Sequence, residues 1–402
     1  MEPVDPSVAP GPPPAAPPAP PPDHGPPPDA SGDGAAAAPP RLPWHPVWVA
    51  LGAALLLALT AIGGASLARA PYVVYAPGSA IETEPAIATP GSRSYETEGS
   101  VLFLTVSLRG ASRRVSFAEA AYGWVRGDQD VFPRRQILGD QSGAESRQQS
   151  LQLMQGSQLL AAKVALEHLG HEVTATGEGA VVNTVSEGTP AAAELRPGDV
   201  IIGIDGRSVA LDSELRDLLV EKQPGDTVEL ELRRGAALVR PDDAPEPEVD
   251  TVVVEMVPDA DPGGRPRAVI GITTFTMGLD YELPFPVEID TEDVGGPSAG
   301  LALTLGILDR LTPGSITGGR DIAVTGEIGP DGQVVQVGGV AQKAAAARAA
   351  GVALILVPAE EAAEARAHAG SVPVVGVATL DEALRALDDL GGNALDLPRD
   401  GG

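Results

Sequence analysis

The sequence predicts an α+β fold behind a single N-terminal apolar helix, and three observations predict it. From Val47 to Ala68 the chain is almost wholly apolar, with no charge before Arg69. Beyond it, short runs rich in β-branched and aromatic residues alternate with Gly, Pro and Asp punctuation, the pattern of strands and turns. Apolar residues at helical spacing occupy separate blocks, first from Gln149 to Leu169 and again after residue 299.

The first forty residues hold sixteen prolines and no large aliphatic side chain except two valines. Such a tail cannot bury a core, so residues 1–45 are expected to be a disordered, partly polyproline II arm. The twenty-two residues that follow rise about 33 Å as a helix, enough to cross the hydrocarbon of a bilayer. Ala68-Arg69-Ala70 also has the form of a signal-peptidase site, but the long prefix and Pro71 directly after it favour one uncleaved transmembrane helix, residues 46–69. Arg41 and Arg69 flank the span almost symmetrically, so charge does not orient it. A short tail with the large domain on the far side is the commoner plan, which makes the catalytic part extracytoplasmic in a single-pass protein of the cell membrane.

A formal charge of −28 argues against nucleic acid as a partner, because an acidic surface repels phosphate. The absence of cysteine fits either side of a membrane. After the span, Tyr72 to Tyr75 and Ser100 to Val106 have strand composition. Leu151, Met154, Leu159, Val164 and Leu166 then give the block from Gln149 to Leu169 a buried helical stripe. Residues 71–168 are thus a folded, β-rich segment ending in a helix.

A compact module follows. Its strand Gly179 to Val185 leads through Gly188-Thr189-Pro190-Ala191 and Leu195-Arg196-Pro197-Gly198-Asp199 into a second strand, Val200 to Ile204, which ends in the turn pair Asp205-Gly206. A helix over Ser213 to Glu221 and a strand over Val228 to Leu232 complete it. The module resembles a PDZ domain of the bacterial protease-associated type, assigned to residues 169–260. That resemblance implies capture of a peptide: Gly179 and Ala180 at the mouth of a carboxylate-binding loop, Val181 and Val182 on a strand that accepts another. An acidic, Pro-rich loop at 241–250 interrupts its last hairpin, and Pro262-Gly263-Gly264 marks a boundary.

Beyond residue 264 the chemistry-bearing residues appear. Asp293-Val294-Gly295-Gly296-Pro297-Ser298-Ala299-Gly300 leads into an apolar helix, Ala299 to Leu311. Glycines permit a bend that side chains would block, and Pro297 pre-sets helical φ, so Ser298 falls where unpaired N–H groups and the helix dipole favour an oxyanion. Alone, a Gly-rich turn ending in Pro-Ser before a helix is more often a simple cap, or sometimes an anion site, than a nucleophile. It lacks the Gly-x-x-x-x-Gly-Lys-Ser/Thr pattern of a nucleotide cradle, as does the rest of the chain. Lys343 lies after Gly338-Gly339 at the start of a helix, Val340 to Ala350. It is one of three lysines against twenty-four arginines, and lysine, unlike arginine, can give up its proton and serve as a base. Strands at Asp321 to Glu327 and Gln333 to Val337 lie between the two.

The order Gly-Pro-Ser-Ala-Gly, Thr-Gly-Glu, Gly-Gly and a helical lysine resembles the proteolytic domain of the Lon family. It implies Ser298 as nucleophile, Lys343 as general base, Thr325 as a hydroxyl that holds the amine, and Gly296, Pro297 and Ala299 as supporting residues, with no metal and no cofactor. Gly295 stands where Lon enzymes often carry an acidic residue, and Gln342 where they often carry Glu. The helix at 153–162 resembles one that precedes the serine loop in Lon proteases. The expected architecture is therefore a Lon-type α/β proteolytic domain, residues 71–168 and 264–392, with an inserted PDZ domain and a frayed end at 393–402. Anchor, PDZ module and Lon-type domain together resemble the YlbL-like PDZ proteases. The resemblance implies an ATP-independent, membrane-anchored serine endopeptidase acting on membrane or exported polypeptides and unfolded segments, with the ring-forming tendency of Lon-type domains. The competing reading is a membrane-tethered peptide-binding scaffold whose protease-like domain is inactive.

Overall fold

The computed structural model of the chain describes residues 46–235, 249–258 and 267–397. The expected tail at 1–45, most of the acidic loop, the Pro-Gly-Gly boundary at 262–264 and the end from 398 lie outside the described residues.

Helix α1 (Pro46–Leu67) is twenty-two residues long, buries no residue, and is long and apolar enough to cross a membrane. Then follow β1 (Tyr72–Glu82), β2 (Ser100–Arg109), α2 (Phe117–Val125), β3 (Asp130–Pro133) and the long α3 (Gly143–His168). The middle of the chain holds β4 (Ala180–Val185), β5 (Val200–Ile204), α4 (Asp212–Val220), β6 (Thr227–Arg233), β7 (Val249–Glu255) and β8 (Ile272–Thr276). The last part adds α5 (Gly300–Leu311), β9 (Asp321–Val324), α6 (Val340–Ala350), β10 (Leu354–Pro358), β11 (Val374–Val377) and α7 (Leu380–Asp388).

Two six-stranded sheets organise these elements. The first runs β11-β10-β9-β2-β1-β3, drawn from both sides of the middle segment. β9 lies parallel to β2 and β10, β11 is parallel to β10, and β1 is antiparallel to β2 and β3. Strand β2 explains how it is packed. Val101 and Phe103 point into a core shared with α3, α5 and α7, while Leu102 and Leu104 face the opposite side under α6. Alternating side chains that are buried on both faces are what a parallel sheet covered by helices requires. Fully burying a Leu or Phe side chain stabilises by about 1.5–3 kcal/mol, so this strand is a main fixture of the fold.

The second sheet runs β7-β6-β5-β4-β8 along its main path and is antiparallel throughout. Val182, Ile201, Leu230 and Val254 form its core beneath α4. Here the sequence expectation needs correction. Residues 268–272 were expected to open the proteolytic domain, whereas β8 pairs with β4 from Ile272↔Val185 to Thr276↔Ala180. The PDZ sheet therefore continues past residue 260 to Thr276. Gly271, at φ +80°, turns the chain between the short strand Ala268–Val269 and β8, and the pairing with β4 holds β8 in this sheet.

Candidate functional site

The serine loop is held from below by α3. The Gly296 amide donates to the Ser150 carbonyl at 2.7 Å, and the Ser157 hydroxyl donates to the Pro297 carbonyl at 3.0 Å. Gly296 has φ +95°, a left-handed conformation that disfavours side chains, and Gly300 packs so tightly that an added Cβ would lie 2.9 Å from the Ile328 amide nitrogen. Pro297–Ala299 forms a 3-10 turn that α5 continues, so Ser298 sits in the turn itself, half-buried, one residue before Ala299 and two before the helix.

Sequence reasoning expected one strand from Asp321 to Glu327. Instead β9 stops at Val324, because the Gly326 amide turns away to donate to the Ser298 carbonyl at 3.0 Å. The Thr325 hydroxyl donates to the same carbonyl at 3.2 Å. That hydroxyl in turn accepts from the Lys343 amine, with Nζ 3.0 Å from Oγ1. One threonine thus joins the backbone of Ser298 to the side chain of Lys343.

Lys343 projects from the first turn of α6, whose entry is set by Gly339 at φ +72°. Its side chain is 3 % exposed, and burial pushes its pKa down to about 8, a fall that the Glu361 carboxylate partly opposes. The neighbouring Gln342 is also buried and donates to Asp130 at 2.8 Å, tying α6 to β3. Ser298 and Lys343 line one cavity of about 450 Å³ with Gly296, Pro297 and Ala299, walled by Tyr75, Phe103, Thr105 and Met154. An amine with a pKa of about 8, partly neutral near neutral pH, can accept a proton from a hydroxyl there. No described histidine lines this cavity, and among the described residues no cluster of His, Cys, Asp or Glu could hold a metal.

The second set of expected residues meets a different fate. β4 is paired on both sides, with Val181 opposite Val200 of β5 and Phe275 of β8, and Ala180, Val181 and Val182 are 0–2 % exposed. Gly179 to Val182 therefore offer no free edge to a peptide, which corrects the expectation placed on them. β8 is one edge strand of the sheet, with β7 at the opposite edge. A groove of about 640 Å³ lies between β8 and α4, lined by Leu215, Leu219, Ile270, Gly271, Ile272 and Thr274. The signal in the sequence was the run Val269-Ile270-Gly271-Ile272, which the intervening loop had detached from the module.

The α4 side of the edge-strand groove and the buried lysine beside the serine loop fall in two regions that each match a known domain. The PDZ domain family model matches residues 168–241, and the Lon protease (S16) C-terminal proteolytic domain model matches residues 291–381. The chain therefore carries a region similar to PDZ domains and a region similar to the Lon proteolytic domain. Relatives include the Lon protease of Phenylobacterium zucineum, 44 % identical over 87 residues, which is 22 % of this chain and 10 % of that protein. Lon protease 1 of Thermus thermophilus is 39 % identical over 85 residues, 21 % of this chain and 10 % of its own length. The chain thus spans about a tenth of the length of these curated relatives. Among solved structures, the PDZ domain of an SdrC-like protein from Listeria innocua is 30 % identical, covering 24 % of this chain and 92 % of that one, with a TM-score of 0.19.

Proposed function

We propose that this protein is a membrane-anchored, ATP-independent serine endopeptidase that uses Ser298 and Lys343. The observation that carries the reading is the Lys343 amine, buried, softened to a pKa of about 8 and linked through Thr325 to Ser298 in one cavity.

The Ser298 oxygen attacks the peptide carbonyl while its proton passes to the neutral Lys343 amine. The negative oxygen that forms is stabilised by N–H groups and the dipole at the start of α5. As the C–N bond breaks, the lysine ammonium returns the proton to the departing amine, leaving an acyl-serine. Water then attacks the ester, giving one proton to Lys343, which passes it to the Ser298 oxygen as the acid product leaves. Thr325, held against the Ser298 carbonyl, keeps the amine aimed into the cavity. Gly296, Pro297 and Ala299 shape the turn that presents Ser298.

Substrate capture falls to the groove beside β8. An extended segment adds to this edge strand by main-chain hydrogen bonds, and its side chains enter the apolar space against Leu215 and Leu219. The backbone around Gly271 receives a terminal carboxylate. With no unfoldase in the reading, substrates arrive already extended, and α1 keeps the enzyme beside membrane or exported polypeptides.

The test is to incubate the full chain in detergent with an unfolded protein and no nucleotide, alongside Ser298→Ala and Lys343→Ala, and to identify the peptides by mass spectrometry. Cleavage lost in both variants is the expected result. Peptide capture with no cleavage by any of the three overturns the endopeptidase reading in favour of a binding scaffold.

A further inference from the structure

Helix α2 is built the wrong way round for a helix in water. Its buried residues are the small Ala120 and Gly123, packed where a Cβ on Gly123 would meet Val131 at 2.8 Å and Val74 at 3.3 Å. Its exposed face carries Phe117, Ala121, Trp124 and Val125, spaced i, i+4, i+7 and i+8, with Tyr122 beside them. Phe117 is 44 %, Trp124 58 % and Val125 86 % exposed. Its one charged residue, Glu119, is turned back into the capping box with Ser116. Trp124 meets the Tyr72 ring edge-on at 5.3 Å and Arg126 donates to the Tyr122 hydroxyl, yet the stripe as a whole remains an exposed apolar face.

Two further observations say what covers it. The first is position. The chain leaves α1 at Leu67, the Ala68 carbonyl accepts from the Phe117 amide at 3.2 Å, the Ala70 amide donates to Val115, and Arg69 bridges Ser116, the N-cap of α2. The start of α2 is therefore one hydrogen bond from the residue that follows the apolar span. The second is charge. Residues 109–135 carry six arginines against Glu119, Asp128 and Asp130 in a chain of net −28. Arg109, Arg113, Arg114 and Arg135 are exposed, while Asp128 is held by Arg126 and Asp130 by Gln342.

We propose that α2 is an interfacial helix that seats the folded domain on the anionic surface of the membrane that α1 crosses. The inference rests on the membrane-anchor reading above. Trp124 and Tyr122 enter the headgroup zone, where amphipathic rings are favoured, and Phe117 and Val125 reach its apolar margin. Exposed arginines there are drawn to anionic lipid within a Debye length of the surface. Because α1 already holds α2 at the bilayer, seating is intramolecular and needs little further affinity. Since α2 packs on β1 and β3, and β3 holds Gln342 beside Lys343, the seating also fixes the serine cavity at the membrane.

The protein has three tryptophans, Trp44, Trp48 and Trp124, which makes the test direct. The full chain is reconstituted into vesicles of phosphatidylcholine with and without phosphatidylglycerol, once with Trp124 as sole tryptophan (Trp44→Phe, Trp48→Phe) and once with Trp48 alone (Trp44→Phe, Trp124→Phe). Brominated acyl chains then serve as quenchers. Quenching and a blue shift of Trp124 are expected, stronger with phosphatidylglycerol and cut at least by about half in Arg113→Glu/Arg114→Glu, whose unchanged melting temperature controls for folding. Trp48 quenched while Trp124 is not overturns the seating and leaves the anchor standing; neither quenched removes the anchor as well. A Trp124 blue shift that follows protein concentration and ignores bromolipid assigns the face to a second copy and overturns the proposal.

Discussion

Glu361 gives the sharpest handle on the proposed base. A lysine with an ordinary pKa of ~10.4 is about 0.04 % neutral at pH 7, whereas one at about 8 is roughly 10 % neutral, a gain of about 250-fold in competent base. The rate on an unfolded substrate is therefore expected to climb close to tenfold per pH unit below the limb, reach half its plateau near pH 8 and flatten above pH 9. Glu361→Gln removes the negative charge that holds the amine's pKa up, yet keeps an oxygen to accept from the Val337 amide, 3.1 Å from the carboxylate. The limb should move to lower pH, raising the rate at pH 7 and leaving the plateau unchanged. The assay is initial cleavage of a fluorogenic unfolded protein by the full chain from pH 6 to 9.5. A flat profile, or a shift to higher pH in Glu361→Gln, would refute the reasoning.

Three other perturbations follow from the same geometry. Lys343→Met should abolish cleavage yet raise the melting temperature at pH 7: the folded pKa is depressed, so the unfolded chain binds more protons. The lysine's destabilisation, on the order of 3 kcal/mol, is present below pH 8 and fades as pH rises toward 10.4; thermal unfolding across that window checks it. Gly300→Ala forces a Cβ against the Ile328 backbone and the Ser157 hydroxyl, and should cost about 1–3 kcal/mol in denaturant unfolding while slowing cleavage. Leu219→Asp puts a carboxylate in the groove beside β8 and should weaken peptide binding by at least about tenfold in fluorescence anisotropy, with the rate on a short peptide substrate preserved.

Where local chemistry decides structure, the sequence was readable. Helix α6 spans the expected Val340–Ala350 because left-handed glycines, Gly339 and Gly351, bound it at both ends. The expected Val200 to Ile204 strand is β5, closed by the Asp205-Gly206 turn. The serine loop and Lys343 stand out because Gly-Gly-Pro-Ser and a rare lysine are local signals. What decides β8 is not local: whether residues 272–276 join one sheet or the other depends on pairing with β4, across a loop whose composition looks like a domain boundary. The start of α3 was placed at Gln149, whereas the Ser142 and Glu145 capping box begins it at Gly143, where exposed polar residues hide the helical period. Helix α2 escaped notice because its apolar side chains face outward and its packed ones are Ala and Gly, which inverts the usual pattern.

The most direct test of the central claim is the rate and position of covalent labelling by a fluorophosphonate, which captures an activated serine oxygen. Mass spectrometry of the labelled full chain should place the adduct on Ser298, forming faster as pH rises through about 8 and falling by at least about a hundredfold in Lys343→Met. An adduct on another residue, or an undiminished rate in Lys343→Met, would contradict the Ser298 and Lys343 pairing.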